Sequence, residues 1–342
     1  MIRIGVIGCG DVANFGHIPA ILSVPRFQLA GLFDPDENRL SSTSAKFGGI
    51  PCFQDLEAFY AADIDAVVIA SPASTHFAHV LEAAKRGVHV LCEKPIAESE
   101  ADAVEMEEAM AKANGIFTIG FCYRFSPVSR QISKWIREGV IGKVRVVRIV
   151  YIWNLHGRFR PDERGQWGES AYWRGRMLEG GPMVDCGVHA IDLSRLWLGS
   201  EPATVHGHGA WVADYEAPDH MWLHMDHESG AHTMIEMSYS FTHTAREPLS
   251  QFTYEVIGDG GVIRYNRDGY ILEARTGQET IHVSGASEKN FPGMYDAFAH
   301  AIETRDASGL PSAKDGIVAT RVARQATEKA ISLRQSSRNP VG

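Results

Sequence analysis

IRIGVIGCGDVA, residues 2–13, runs from an apolar segment through a glycine-rich turn into the start of a helix. The apolar half reads as a strand buried on both faces. In the turn, Gly8 permits a tight reversal and Gly10 lets the backbone approach a pyrophosphate. Ala13 stands where a third glycine is usual and keeps the helix close to the strand. Asp11 and Val12 complete a loop whose unpaired N–H groups and helix dipole suit phosphate oxygens. Strand, G-x-G-x-x-A and helix in this order predict the opening of a dinucleotide-binding unit.

The surroundings repeat that alternation. Apolar runs recur at 27–34, 65–71, 88–93 and 116–120, with helical stretches such as VANFGHIPAIL, THFAHVLEAAKRG and ESEADAVEMEEAMAKANG between them. Two helices close on Gly87 and Gly115, where a left-handed residue is expected. Such a rhythm predicts a doubly wound parallel sheet over residues 1–122. Beyond it, segments 143–153, 203–212, 221–228, 231–241 and 251–259 alternate apolar and polar residues between short turns. They predict an α+β domain over 123–342 with a large, mainly antiparallel sheet open on one face. A helix at 315–334 is expected to pack back on the first domain. The fold class is therefore α/β, a Rossmann-type half followed by an α+β half.

Asp34 ends the second strand, where a carboxylate meets adenosine ribose hydroxyls. Asp36 and Glu37 follow, so a 2′-phosphate would meet negative charge, and NAD is expected rather than NADP. Asp34 could instead cap the helix starting near Glu37. The fourth apolar run, VHVLCE, leads into CEKPI, which sets Lys94 at the C-terminal end of a parallel strand, facing the ligand crevice of such sheets. An ion pair to some basic residue is the alternative use of Glu93.

With 342 residues, 44% hydrophobic and 22% charged, the composition is that of a soluble globular chain. A net charge of −9 argues against nucleic acid and anionic membrane as partners. No apolar run approaches the ~18–20 residues that span a bilayer, and MIRIGVIGCG has no signal-peptide pattern. The expected location is cytoplasmic. Five scattered cysteines form no metal or disulfide pattern.

GGPMVDCGVHAIDLSRLW, residues 180–197, places Asp185 and His189 four positions apart in an apolar helical pattern. A metal site, a buried structural pair and acid/base chemistry all remain open at that spacing. A zinc site would need a third ligand such as Asp192. Histidines 206, 208, 220, 224, 227 and 232 sit on alternating strands, where solvent-facing or interface positions are expected and no metal. Taken together, GxGxxA, ASPASTH (70–76), EKP (93–95), FCYRFSP (121–127) and GGPMVDCGVHAID (180–192) resemble, in that order, the glucose–fructose oxidoreductase/inositol dehydrogenase (Gfo/Idh/MocA) family. The pattern DxGxHxxD is carried by Asp185, Gly187, His189 and Asp192. Pro182 replaces a glycine common there, and CYRF replaces NRRF.

The resemblance implies a nicotinamide-binding Rossmann domain and an α/β domain whose open sheet often joins subunits, here as a homodimer or homotetramer. It implies that Lys94, Asp185 and His189 line the active site, that Ala70, Ser71, Pro72, His76 and Glu93 lie beside the cofactor, and that substrates are sugars, cyclitols or their keto forms. His189 then suits the general base, Lys94 an electrostatic partner of the reacting oxygen, and Asp185 either an orienter of His189 or a ligand of a substrate hydroxyl. Tyr123 and Arg124 could face nicotinamide or substrate. The segment 151–181, rich in Trp, Tyr and Arg, suits polyol recognition through Trp167, Trp173 and Arg174. Two other functions use the same features: a lyase or glycosidase with transient oxidation by tightly bound NAD, and a non-catalytic dinucleotide-binding regulator.

Overall fold

The computed structural model describes residues 1–153, 159–161, 164, 167–169, 176–240 and 249–338, with backbone only at 159–161, 167–169 and 337–338. Trp173 and Arg174 lie outside the described residues, as does the side chain of Trp167. The chain divides into two compact units, Met1–Phe125 with Lys289–Val318, and Ser126–Glu288 with Ala319–Gly342.

In the first unit the predicted alternation becomes β1 (Ile2–Ile7), α1 (Ile18–Ser23), β2 (Phe27–Phe33), α2 (Glu37–Lys46), β3 (Cys52–Phe53), α3 (Leu56–Tyr60), β4 (Ala66–Ile69), α4 (Ala73–Lys85), β5 (His89–Cys92), α5 (Glu100–Lys112) and β6 (Phe117–Ile119). The strands form one parallel sheet in the order β3-β2-β1-β4-β5-β6. This is the doubly wound arrangement whose order reverses beside β1, placing the ligand crevice at the carboxyl ends of β1 and β4. Side chains of β1, β4 and β5 are almost wholly buried, which is why these segments, IRIGVI, AVVI and HVLC, are mostly apolar. After α4, Gly87 takes the left-handed conformation at φ +68. After α5 it is Asn114, at φ +53, and not Gly115 that does so. Asparagine tolerates that region; Gly115 lies beside the flexible end of the Met110 side chain, where a Cβ would be 2.6 Å from Cε.

The second unit contains α6 (Pro127–Arg137), β7 (Val144–Ile152), β8 (Phe159–Pro161), β9 (Trp167–Glu169), α7 (Val188–Leu198), and strands β10 (Pro202–Ala210), β11 (His220–His227), β12 (His232–Ser238), β13 (Gln251–Gly258), β14 (Gly261–Asn266), β15 (Ile271–Thr276) and β16 (Thr280–Ser284). Eight strands form one sheet, β10-β11-β12-β7-β13-β14-β15-β16, antiparallel except between β12 and β7. Alternate residues such as Met221, Leu223 and Met225 are buried on one face. The other face carries charge, including the pairs Arg148–Glu255 at 2.9 Å and Arg275–Glu273 at 2.8 Å.

Two helices follow the sheet. α8 (Phe291–Thr304) belongs to the first unit, where Tyr295 and Phe298 meet Phe27 at ring-centroid distances of 5.8 and 6.2 Å. α9 (Ala313–Arg338) counts with the first unit through Val318 and with the second from Ala319. Its later part lies so close to β10 that a Cβ on Gly207 would be 2.6 Å from Ala326 Cα. No described helix is long and apolar enough to cross a membrane.

Candidate functional site

Gly8 follows β1 with φ +95, and a Cβ there would lie 2.6 Å from Ser71 N. Both the left-handed turn and the close approach of two backbones require glycine. Gly10 differs: a Cβ on it would meet nothing within 4 Å. The room beside its backbone is what a phosphate needs there. Asp11 is exposed, Val12 half-buried and Ala13 fully buried, so Ala13 is the position packed against the sheet. The helix opens with a π turn, Ala13–His17, before α1, and π segments frequently mark functional positions. Asn14 adds a clamp absent from the sequence reading. Its Nδ2 lies 3.1 Å from the carbonyl oxygens of Cys9 and Gly10 and from Thr43 Oγ1. A polar residue in the first turn of an otherwise apolar helix is the signal that marks it.

Asp34 is buried beside this loop. Its Oδ2 accepts the Cys9 N–H at 2.8 Å and its Oδ1 accepts the Asp36 N–H at 2.9 Å. The cap of α2 is Asp36, which accepts from Asn38 and Arg39, so Asp34 is not spent on capping. A carboxylate offers about four acceptor positions, and these bonds use two.

At the end of β5, Glu93 is buried and its Oε2 accepts the Lys94 N–H at 3.1 Å. A basic partner is His17, with Nε2 3.1 Å from Oε1. Lys94 is half-buried and joins Pro95 through a cis peptide. His76, on α4, is buried and ties two loops together. Its Nε2 is 2.9 Å from Ser71 O, and its Nδ1 is 3.1 Å from Pro95 O and 3.2 Å from Ile96 O. Burial holds its pKa below the usual imidazole range, against the pull of those carbonyls. Ala70 donates to Ile7 O at 2.8 Å, Ser71 Oγ pairs with Thr75 Oγ1 at 2.7 Å, and Pro72 precedes α4. Gly8, Ala70, Ser71, His76 and the Lys94–Pro95 bend are thus joined at the carboxyl end of this sheet. Tyr123 is buried in a 3-10 turn, Cys122–Phe125, and Arg124 Nη2 lies 3.1 Å from Asp315.

In the second unit, Gly180 and Gly181 have φ +122 and +68 and lead into a second π turn, Met183–Gly187, continuous with α7. Asp185 and His189 are both largely buried, at 9% and 7% exposure. Asp185 Oδ2 accepts the Tyr239 O–H at 2.5 Å and pairs with Arg176. The sequence reading offered His189 as its partner and missed both of these. Arg176 lies in the Arg-rich stretch already singled out, whereas Tyr239 is 54 residues away and carries no local signal. Burial, then the Asp185 charge, pushes the Tyr239 phenol well above its ordinary pKa, so it is a hydrogen-bond donor rather than a base. With Arg176 beside it, the Asp185 carboxylate has its charge and orientation set by the protein.

The histidine-bearing strands divide by face. His224 Nδ1 lies 3.1 Å from His232 Nε2, and His232 Nδ1 lies 2.8 Å from Asp226. His227 is not solvent-facing as expected: its odd position on β11 turns it inward, to Thr233 Oγ1 at 2.9 Å and Ser200 O at 3.1 Å. Among the described residues, no group of three or more His, Cys, Asp or Glu side chains is arranged to hold a metal ion.

Comparison with known proteins matches residues 2–121 to an oxidoreductase family with an NAD-binding Rossmann fold and residues 129–264 to the GFO/IDH/MocA C-terminal domain. The scyllo-inositol 2-dehydrogenase (NAD(+)) of Bacillus subtilis is 28% identical over 270 residues, covering 77% of this chain and 73% of that protein. YteT of the same organism is 32% identical over 211 residues, 60% of this chain and 47% of the relative. The aligned part thus spans about half the length of that protein. An aldose-aldose oxidoreductase from Caulobacter crescentus, solved with glycerol, shares the fold with a TM-score of 0.81 at 23% identity, covering 97% of this chain and 98% of that one.

Proposed function

Because this chain belongs to the Gfo/Idh/MocA family of oxidoreductases, we propose that it transfers hydride between a bound nicotinamide and a secondary hydroxyl, or the matching ketone, of a sugar or cyclitol. The observation that carries this reading is the loop Gly8–Ala13, where backbone meets backbone at Gly8 and open space adjoins Gly10. Bound NAD(H) supplies a hydride acceptor or donor. Gly10 and the opening turn of the helix would hold its phosphates, and Asp34 its adenosine ribose. Asp34, Asp36 and Glu37 favour NAD over NADP.

Oxidation of an alcohol requires a proton to leave oxygen as hydride leaves carbon. His189 is the base we assign, since an imidazole with an unperturbed pKa of ~6.5 can hold and release that proton near neutrality. The Lys94 ammonium stabilises alkoxide character on the same oxygen. Asp185, fixed by Arg176 and Tyr239, either orients His189 or accepts a neighbouring hydroxyl of a polyol. The name of the scyllo-inositol relative supports a cyclitol as one substrate class. We assign the open face of the eight-stranded sheet to contact with a second copy of the chain, giving a homodimer or homotetramer.

A panel of sugars, cyclitols and keto sugars with NAD(H) and NADP(H), followed by reduced-nicotinamide absorbance, tests the reading. Lys94→Ala or His189→Ala at parental turnover on the identified substrate refutes the roles given to them. Product release without net nicotinamide reduction refutes simple dehydrogenation in favour of transient oxidation.

A further inference from the structure

We propose that His17 and Tyr295 are positioning residues for Lys94, acting through the buried Glu93 carboxylate. This rests on the reading of Lys94 as the group beside the reacting oxygen. Tyr295 on α8 and His17 in the π turn are both fully buried. The Tyr295 hydroxyl lies 2.8 Å from His17 Nδ1, His17 Nε2 lies 3.1 Å from Glu93 Oε1, and Glu93 Oε2 accepts the N–H of Lys94 at 3.1 Å. Three segments far apart in sequence therefore end on the peptide that launches the Lys94 side chain.

One proton arrangement satisfies the series with a neutral imidazole. Tyr295 donates to Nδ1, Nε2–H faces Glu93, and the second carboxylate oxygen keeps the Lys94 N–H. The other tautomer would turn the Nε2 lone pair toward a carboxylate, a repulsive contact in a site shielded from water. The His17–Glu93 approach is oblique, an electrostatic contact rather than a well-aligned hydrogen bond, and His17 Nε2 has no hydrogen-bond partner of its own among the described residues. The Glu93 carboxylate is thus the group that stabilises that N–H. The sheet is also shaped to receive it: a Cβ on Gly120 of the adjoining strand segment would lie 2.9 Å from Glu93 Cδ. With the tyrosine hydroxyl gone, the His17 ring loses the hydrogen bond that fixes it, the electrostatic contact that steadies Glu93 loosens, and the acceptor of the Lys94 N–H is less firmly held.

Packing alone is the competing account, because the His17, Phe291, Phe27 and Tyr295 rings meet edge-on at 5.2 to 5.9 Å. Tyr295→Phe separates the two, since it keeps the ring and removes only the hydroxyl. The probe is acetic anhydride labelling of the intact protein, with Lys94 acetylation measured by peptide mass spectrometry against exposed Lys112. We expect the Lys94-to-Lys112 ratio in Tyr295→Phe and Glu93→Gln to shift at least threefold (about 0.65 kcal/mol), with melting temperature near the parent's. An unchanged ratio in both variants overturns the proposal, as does a shift at every lysine together. Turnover adds a second readout: kcat falls while KM for NAD holds, and Tyr295→Phe has no further effect in a Lys94→Ala background. An equal loss in that background means the hydroxyl does not act through Lys94. A shifted ratio with full turnover in Lys94→Ala refutes the catalytic reading of Lys94 and leaves the positioning link standing.

Discussion

Replacing Asp34 with alanine has two consequences that can be measured separately. The first is structural. Asp34 is 4% exposed and accepts two backbone N–H groups, from Cys9 at 2.8 Å and from Asp36 at 2.9 Å. The Cys9 donor is buried, and leaving it unpaired costs about 1–3 kcal/mol. Asp36 is exposed, so water takes over much of the second bond. The net loss is about 2–3 kcal/mol, or roughly 5–10 °C in melting temperature for a unit of this size. The second consequence is cofactor choice. On the proposed binding of NAD, removing the carboxylate deletes an acceptor for the ribose hydroxyls and one of the three negative charges, with Asp36 and Glu37, that would disfavour a 2′-phosphate. The preference for NAD over NADP, as a ratio of kcat/KM, should fall at least tenfold, about 1.4 kcal/mol. Calorimetry reads the first effect, and initial rates with each cofactor read the second. A variant that melts with the parent refutes the loop-anchoring argument. A destabilised variant with the parental cofactor ratio shows that Asp34 braces the loop without reading the ribose.

The two glycines of the loop should behave oppositely. Gly8→Ala forces a Cβ to 2.6 Å from Ser71 N at φ +95 and should lose several kcal/mol of stability together with cofactor binding. Gly10→Ala meets no protein atom within 4 Å, so it should melt like the parent yet bind NAD at least tenfold more weakly by isothermal titration; parental affinity would move the pyrophosphate elsewhere. Tyr239→Phe removes the hydroxyl bonded to Asp185 and should cost about 1–2 kcal/mol of stability and lower kcat, with equal activity counting against a functional Asp185. His79, partly buried against the Phe33 ring 5.9 Å away, has its pKa pushed down to about 4 by burial and then by His76. The unfolded chain thus takes up this proton near ~6.5 and the folded chain only near 4, so the contribution is complete above ~6.5 and lost as pH falls. By pH 5 the loss amounts to about 2 kcal/mol, and His79→Gln should remove that part of the acid destabilisation in denaturant titrations at pH 7.5 and 5.

How much of this was legible in the sequence follows from the range over which each feature is determined. Strands β1, β4 and β5 are mostly apolar, Arg3 and His89 lying at the starts of the first and last, because helices cover both faces, and a run such as DAVVIAS needs no partner to be read. Strands β14, β15 and β16 are harder: Arg264, Glu273, Arg275 and His282 interrupt them, and these residues make sense only once the strands pair, because Glu273 meets Arg264 at 3.8 Å and His282 at 3.5 Å on the neighbouring strands, with Arg275 beside it on β15 at 2.8 Å. The return of Lys289–Val318 to the first unit is similarly hidden, because the apolar face of α8 shows that Tyr295 and Phe298 are buried without showing that Phe27 receives them. Both π turns escape a reading based on a period of 3.6, since a single slipped hydrogen bond leaves the hydrophobic pattern almost unaltered. The same reasoning explains Asp185. Its spacing from His189 is local and was visible, while Arg176 and Tyr239 reach it only after the chain folds. Periodicity reports that a polar group is turned inward; the arginine nine residues before it and the tyrosine 54 residues after it are brought to it only by the fold. A buried carboxylate four residues from a histidine is therefore a reason to look for an arginine and a tyrosine elsewhere, because burial of its charge without such partners would cost several kcal/mol.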